Sequence, residues 1–272
     1  MILCFGVPII IPIVTETERY WMKISDYNRQ TDPTILQFLP GFLYYDKLSE
    51  KAKKRFIKRV RFIAFDKEFI GRSGLEVTDE MRVKVAASLA QLTFGFKDFE
   101  IPHFEKIWIY PDIFYHHGHR TQMKGFTAPA GVVALSWPDF QNGYDIPGDN
   151  YNLGLHELAH ALHINSQHSS DNEYFLKHFN HWSKESYADF EALQNGDNEF
   201  FRKYGGNNFY EFFSVCIEHF FESPAAFYEE LPYLYIRTCI LMAQNPLNDQ
   251  LNYELKPQDF KELANVDLYR QK

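Results

Sequence analysis

The stretch His156-Glu157-Leu158-Ala159-His160 decides how this sequence is interpreted, because it sets two histidines and a glutamate at helical spacing. It lies in an apolar segment, Asn152 to Ile164, that predicts a helix. Positions i and i+4 of a helix share one face, so both imidazoles can converge on one Zn²⁺ ion. The glutamate between them can take a proton from a water molecule bound to that ion. This H-E-x-x-H spacing predicts a zinc site with its own general base.

Two histidines leave the zinc site incomplete, since a catalytic zinc takes three protein ligands and a water molecule. His163 lies seven residues from His156, too far along the helix to share the ion, so we expect it behind the ligands. Two later acids, Glu211 and Glu218, lie two turns apart on an apolar helix, where a buried carboxylate needs a partner. The residues alone leave the third ligand divided between these two acids, with Glu185 a distant third.

Each of the two acids also has a purely structural interpretation. Asn208 and Glu211 have the spacing of a capping box, in which the acid binds only its own backbone. Glu218 could face solvent or lie behind the ligands without binding the ion.

Composition places the sequence among folded proteins and excludes several classes. The chain has 272 residues, of which 45% are hydrophobic and 17% aromatic, so it is not disordered. A net charge of −8 argues against a nucleic-acid partner, which would require a basic face. The three cysteines are far apart and odd in number, which favours a reducing compartment and predicts a cytoplasmic location.

The N-terminal residues 1–33 predict an arm of unassigned role, and residues 34–272 a single domain. The first 14 residues are uncharged but too short to span a bilayer. They also lack the basic region and cleavage site of a secretory signal. We expect no membrane partner, and membrane association through the apolar N-terminus is the minority alternative.

The order of the predicted elements indicates an α+β fold with a small mixed sheet and a mostly helical C-terminal half. Between the two predicted strands lies a polar hairpin or loop, His116-His117-Gly118-His119, whose role the sequence leaves open. The predicted elements are helices over Leu48–Phe69 and Thr78–Phe94, strands over Lys106–Tyr110 and Gly131–Trp137, a loop over Gly143–Asn150, and mainly helix from Asn152 to Met242.

Several separated segments, in order along the chain, resemble the MtfA family of zinc-dependent peptidases, named after Mlc titration factor A. The likeness extends from about residue 35 to about residue 247. The segments are Leu39–Phe42, Gly74–Arg82, Val132–Trp137, Asp149–Leu162, Tyr204–Phe213, Phe220–Pro224 and Pro232–Tyr235.

The resemblance implies a role for each site residue. His156 and His160 would bind one Zn²⁺ ion per chain, Glu157 would be the general base, and Glu211 would be the third ligand. Tyr204 matches a tyrosine that stabilises the oxyanion or donates a proton. The catalytic core of the family is similar to the anthrax lethal factor peptidase domain, which implies a zincin-like fold of the gluzincin type.

The sequence departs from the family pattern at a few positions. His163 stands where the family usually has aspartate, which would alter the surroundings of His160. Asn150 replaces a glycine, a mild change because asparagine tolerates left-handed backbone. Phe209 and Tyr210 replace proline and alanine, and we expect them to reshape the pocket wall.

The sequence therefore predicts a zinc metallopeptidase that acts on a peptide or protein, and the resemblance extends this to aminopeptidase activity. An extended substrate could add to the edge of the strand Gly131–Trp137, at Val133, Ala134 and Leu135. The alternative is a binding protein on a peptidase fold that regulates a transcriptional repressor, as the family's name-giving member does with Mlc. A chance match to the motif in a structural protein is the remaining interpretation.

Overall fold

The computed structural model describes residues 34–118, 120–168 and 173–256, all within one compact unit, Pro33–Lys272. The predicted arm over residues 1–33 lies outside the described residues, so the domain division stays a prediction. His119 of the histidine-rich loop also lies outside them.

Helices make up most of the described chain. Two short 3₁₀ segments accompany them, Lys203–Gly206 before α9 and Pro246–Leu251 after the last helix. The helices are α1 (Thr34–Gln37), α2 (Leu43–Asp46), α3 (Glu50–Asp66), α4 (Asp79–Leu92), α5 (Trp137–Asp145), α6 (Leu153–His168), α7 (Glu173–Glu185), α8 (Tyr187–Asn195), α9 (Phe209–Glu222), α10 (Pro224–Glu230) and α11 (Pro232–Met242).

The main sheet has four strands in the order β1-β2-β6-β5. Strands β1, β2 and β6 are parallel, and β5 runs antiparallel to β6. A separate antiparallel hairpin joins β3 to β4. The strands are β1 (Glu68–Gly71), β2 (Lys106–Tyr110), β3 (Phe114–His116), β4 (Thr121–Met123), β5 (Gly125–Ala128) and β6 (Val132–Ser136). The prediction of an α+β fold with a small mixed sheet is confirmed, while its zincin-like assignment stays a prediction.

The prediction that the strand Gly131–Trp137 offers a free edge was wrong. This strand is β6, which pairs with β2 on one side and with β5 on the other. Val133, Ala134 and Leu135 are therefore buried in the middle of the sheet rather than exposed to a substrate. Their continuous apolar sequence is typical of a strand that is covered on both faces.

Two element boundaries also differ from prediction. Helix α5 covers Trp137–Asp145, so it includes Gly143–Asp145, which was predicted as loop. Pro138, which was predicted to close the preceding strand, lies in the first turn of this helix, where its missing N–H costs nothing. The basic helix predicted over Leu48–Phe69 ends at Asp66, since the chain enters β1 two residues later.

Helix α6 lies at the centre of the fold and positions the H-E-x-x-H motif. It packs against α4 and α9 and against strands β5 and β6. Leu155, Leu158, Ala159 and Leu162 are fully buried, as expected of a helix with other elements on all sides. None of the described helices is long and apolar enough to cross a membrane.

Candidate metal centre

Three side chains from two helices converge in front of the sheet. His156 and His160 come from α6 and Glu211 from α9, and their potential ligand atoms all lie within 4.8 Å of one another. Glu211 Oε2 lies 3.0 Å from His156 Nε2 and 3.4 Å from His160 Nε2. The structure thus brings together the two histidines of the motif and one of the two candidate acids.

The start of α6 is fixed by Asn152, which sets the first histidine one turn into the helix. The Asn152 side chain accepts the Leu155 N–H (3.0 Å), and its carbonyl accepts the His156 N–H (2.9 Å). The helix predicted to end at Ile164 continues to His168. Its regular backbone leaves the two imidazoles on one face, with ring centroids 4.9 Å apart.

Glu211 lies in the first turn of α9. Asn208 caps this helix by accepting the N–H groups of Tyr210 (2.9 Å) and Glu211 (3.0 Å). The Glu211 carboxylate is turned to the two imidazoles, so its role is not limited to the capping box that the sequence allowed. Although burial alone would raise the pKa of Glu211, its hydrogen bonds to His156 and His160 lower it well below its usual range.

Glu218, two turns further along α9, contacts the opposite side of His156. The Nδ1–H of His156 donates to Glu218 Oε1 (2.7 Å), which leaves Nε2 facing Glu211. Burial would lower the pKa of His156, but the hydrogen bonds to Glu211 and Glu218 outweigh it and raise the pKa to about 10. The pair of carboxylates therefore makes this pocket strongly attractive to positive charge.

The Glu157 side chain faces strand β5. The Thr127 hydroxyl lies 2.8 Å from Glu157 Oε2 and 2.9 Å from the Glu157 carbonyl oxygen. Gly125 allows this close approach, since a Cβ at that position would lie 2.9 Å from Glu157 Oε1. Burial raises the pKa of the Glu157 carboxyl above its ordinary value, against the opposing charges of the two histidines.

Tyr204 lies in the 3₁₀ turn before α9, at the mouth of the site. Its side chain is 49% exposed, and its ring centroid is 5.8 Å from that of His156. Burial and the negative charges of Glu211 and Glu157 raise the pKa of Tyr204 to about 12. The hydroxyl therefore stays protonated at neutral pH and can donate a hydrogen bond.

The donor set fits a metal ion. Two imidazoles and one carboxylate are ligands that zinc and similar divalent ions accept, and an ion bound there would displace the proton from Nε2 of His156. The carboxylate behind His156 fixes the nitrogen it presents. The residues that could hold the ion are His156, His160 and Glu211.

Comparison with known proteins identifies the family. Residues 18–239 match the family of glucose-regulated metallo-peptidases M90. This chain belongs to that family. It is also 25% identical over 219 residues to the proteins named Mlc titration factor A of Yersinia pestis (strain Pestoides F) and Yersinia pseudotuberculosis (serotype O:1b, strain IP 31758), covering 74% of this chain and 80% of theirs. The predicted resemblance to the MtfA family is confirmed.

His163 lies behind the three candidate ligands, among aromatic rings. Its ring centroid is 4.4 Å from that of Phe179 and 4.8 Å from that of Tyr210. Burial, and to a lesser degree the charge of His160, lowers the pKa of His163 to about 4. It is therefore neutral near pH 7.

Arg202, which precedes the 3₁₀ turn, was not predicted as a residue of the site. Its guanidinium donates to both oxygens of Glu218, through Nη2 to Oε1 and through Nη1 to Oε2 (3.0 Å). An isolated arginine in sequence gives no signal for such a contact, since the contact depends on the tertiary fold. Glu185, the distant third candidate ligand, instead pairs with Arg237 (3.1 Å).

The site opens into pockets on both sides of Glu157. One, of about 940 Å³, lies toward the N-terminal end of α6 and is lined by Ile146 and Tyr151 among others. The other, of about 480 Å³, lies toward the C-terminal end and includes Tyr210, one of the residues expected to reshape the wall. Because Glu157 and Gly125 line both pockets, together they form a cleft across the metal centre.

Proposed function

We propose that this protein is a zinc-dependent peptidase in which His156, His160 and Glu211 hold one Zn²⁺ ion per chain. The observation that carries the proposal is the convergence of these three side chains beside the buried carboxylate of Glu157. Three such donors are typical of a catalytic zinc, which keeps a further position for water or substrate.

The side chains around the ion have distinct tasks in peptide hydrolysis. When bound, zinc polarises the scissile carbonyl and lowers the pKa of a water molecule. Glu157, held by Thr127, takes a proton from the attacking water and delivers it to the leaving amine. Its raised pKa suits that exchange, because a general base works best with a pKa closer to the working pH.

Tyr204 stabilises the negative charge that develops on the carbonyl oxygen. Its protonated hydroxyl lies at the mouth of the site and can donate a hydrogen bond to that oxygen. Removal of one such donor costs other hydrolases about 10²–10³ in kcat. Tyr204→Phe therefore lowers kcat with little change in zinc content.

Strand β5 supports a peptide or protein substrate. Among the described strands β5 pairs only with β6, so its other edge can bind an extended peptide. Thr127 of this strand contacts Glu157, so a substrate peptide bound along β5 would lie close to the general base. Pockets on both sides of Glu157 accommodate residues before and after the scissile bond. Aminopeptidase activity is tested by comparing peptides with free and acetylated N-termini.

Metal content and hydrolysis test this function. We expect about one zinc per purified chain by mass spectrometry, lost in Glu211→Ala and kept in Glu185→Ala, which changes an acid outside the site. Glu157→Gln retains the zinc and loses peptide cleavage. An absence of zinc in the native protein after incubation with zinc would refute the proposal.

The names of the Yersinia relatives support a second proposal, that this protein binds a transcriptional repressor related to Mlc. Glu157→Gln separates the two functions, since it removes the general base and leaves the surface intact. If the protein acts by binding, this variant still binds the repressor with wild-type affinity.

A further inference from the structure

We propose that Arg202 is a positioning residue of the metal centre, which holds the Glu218 carboxylate in the orientation that fixes His156. The inference rests on the proposed zinc site. It concerns a residue that forms its ion pair with Glu218 and, through that carboxylate, is joined to His156. The Arg202 guanidinium also lies 3.4 Å from His156 Nδ1, the nitrogen that faces Glu218.

Arg202 and Glu218 form a two-point ion pair. Two different nitrogens of the guanidinium, Nη1 and Nη2, donate to the two different oxygens of the carboxylate. Such a forked pair fixes the carboxylate plane as well as its position. Glu218 is only 1% exposed, and an ionised carboxylate at this depth needs a paired charge. Arg202 supplies it.

The fixed carboxylate of Glu218 holds two groups near the start of α6. Glu218 Oε1 accepts the Nδ1–H of His156 (2.7 Å), and Oε2 accepts the backbone N–H of Asn152 (2.7 Å) at the start of α6. The terminal torsion of a glutamate is soft, so the carboxylate would rotate if it were held only by these contacts. Rotation of Glu218 would turn the imidazole of His156 and misdirect Nε2.

Arg202 is itself held in place by the loop before α6. Its Nη1 donates to the Asn150 carbonyl (2.6 Å), and the guanidinium lies 4.6 Å from the Tyr151 ring centroid. Asn150 has a left-handed φ of 63°. Its side chain accepts the Ser223 hydroxyl (2.6 Å). The loop before α6 thus presents a carbonyl and a ring to the guanidinium.

Arginine is needed for this role because of its shape. Lysine would keep the charge next to Glu218, but a single ammonium does not bind both oxygens and the Asn150 carbonyl in one plane. Arg202→Lys therefore separates charge compensation from orientation, and Arg202→Gln removes both.

Zinc affinity, measured by competition with a chromogenic chelator, tests the inference without an activity assay. We expect Kd for zinc to increase about tenfold in Arg202→Gln and about threefold in Arg202→Lys. Glu218→Gln, which changes the group in direct contact with His156, should increase it about 10–100-fold. In the double variant Arg202→Gln/Glu218→Gln, the effect of the arginine should disappear, because Arg202 acts through Glu218.

Two control variants exclude a general loss of structure. Ser223→Ala loosens the same loop at Asn150 but leaves the fork on Glu218 intact. Arg237→Gln removes a more deeply buried arginine that pairs with Glu185, away from the site. Both controls should leave the Kd for zinc within about twofold of wild type, and near-ultraviolet circular dichroism checks that every variant is folded.

The outcomes separate this inference from the proposed function. If the wild type binds zinc and folded Arg202→Gln binds it equally well, the positioning role of Arg202 is wrong and the zinc site stands. An equal effect of Arg202→Gln with and without Glu218 would also overturn it, as would an effect as large in Ser223→Ala. If the wild type binds no zinc, the proposed function fails.

Discussion

His156 and His163 lie seven residues apart on α6 and are almost equally buried, at 7% and 6% exposure, yet their pKa values move in opposite directions. The pKa of His156 is raised to about 10 and that of His163 is lowered to about 4. Burial lowers both, since a buried imidazole loses the hydration of its charged form. His156 has two carboxylates against its ring, whereas His163 has the rings of Phe179 and Tyr210.

The difference teaches that depth alone does not make a histidine a ligand. The carboxylates of Glu211 and Glu218 turn the His156 pocket into a site for a cation. The aromatic rings around His163 make its position one for a neutral side chain. Substitutions that alter one of these two environments test the difference.

The largest effect is expected on zinc binding. His156→Ala removes one of the three proposed ligands, so its zinc affinity should fall by more than the roughly 100-fold that loss of an outer partner costs. His163→Ala should retain about one zinc per chain. Metal content after dialysis measures both, and equal losses would show that the two positions are not distinct.

The second effect is on stability in acid. His163 has a pKa of about 4 in the folded protein and about 6.5 when unfolded, so the unfolded state binds the proton more readily. The stability associated with neutral His163 is complete above about pH 6.5 and is lost as the pH falls toward 4. After allowance for solvent screening, this amounts to roughly 2–3 kcal/mol.

Replacement of the titrating ring isolates this contribution. Between pH 7 and pH 4, metal-free His163→Phe should lose about 2 kcal/mol less unfolding free energy than metal-free wild type, as measured by urea unfolding. His181→Phe, at an exposed histidine of α7, is the control and should behave as wild type. Parallel losses in the wild type and His163→Phe would contradict the assignment.

A carboxylate placed next to His163 should make it resemble His156. Gln167 Nε2 lies 3.2 Å from His163 Nε2, so Gln167→Glu brings a negative charge to the ring. We expect the pKa of His163 to rise by about one unit, followed by NMR titration of the imidazole. Gln167→Met has similar length and no charge and should leave the pKa nearly unchanged.

The smallest effect is expected at Glu157, the third buried titratable group on this part of α6. Thr127→Val removes the hydroxyl that contacts its carboxylate. A lost hydrogen bond of about 1 kcal/mol should lower kcat/KM about fivefold. Thr127→Ser keeps the hydroxyl and should keep most of the activity. A fall as large in the serine variant would assign the effect to packing.

Local spacing was enough to predict part of this site. The i, i+4 relation of His156 and His160 fixes their common face once the helix forms, and Asn152 gives the helix its start. The choice between Glu211 and Glu218 could not be made from the residues, because both lie on the same face of α9. Only the angle at which α9 crosses α6 places the first at Nε2 of His156 and the second at Nδ1.

The order of the strands in the sheet was the other feature that could not be predicted from the sequence. The apolar run of β6 predicted a strand, but periodicity does not show whether a strand lies in the middle or at the edge. The edge strand β5 is short and mixed in composition, and its Gly125 gives no strand signal, since it is there for the approach of Glu157. Helix α5 was missed for a related reason, because Pro138 both ends strands and begins helices.

The proposed ligands come from α6 and α9, and helices α7 and α8 lie between them in the chain. An ion bound to all three would therefore join two distant parts of the sequence, as a covalent cross-link does. Because the unfolded chain does not hold the three side chains together, free zinc would increase the unfolding free energy by mass action. The abundance of the folded protein in a cell, and not only its activity, would then follow the zinc supply.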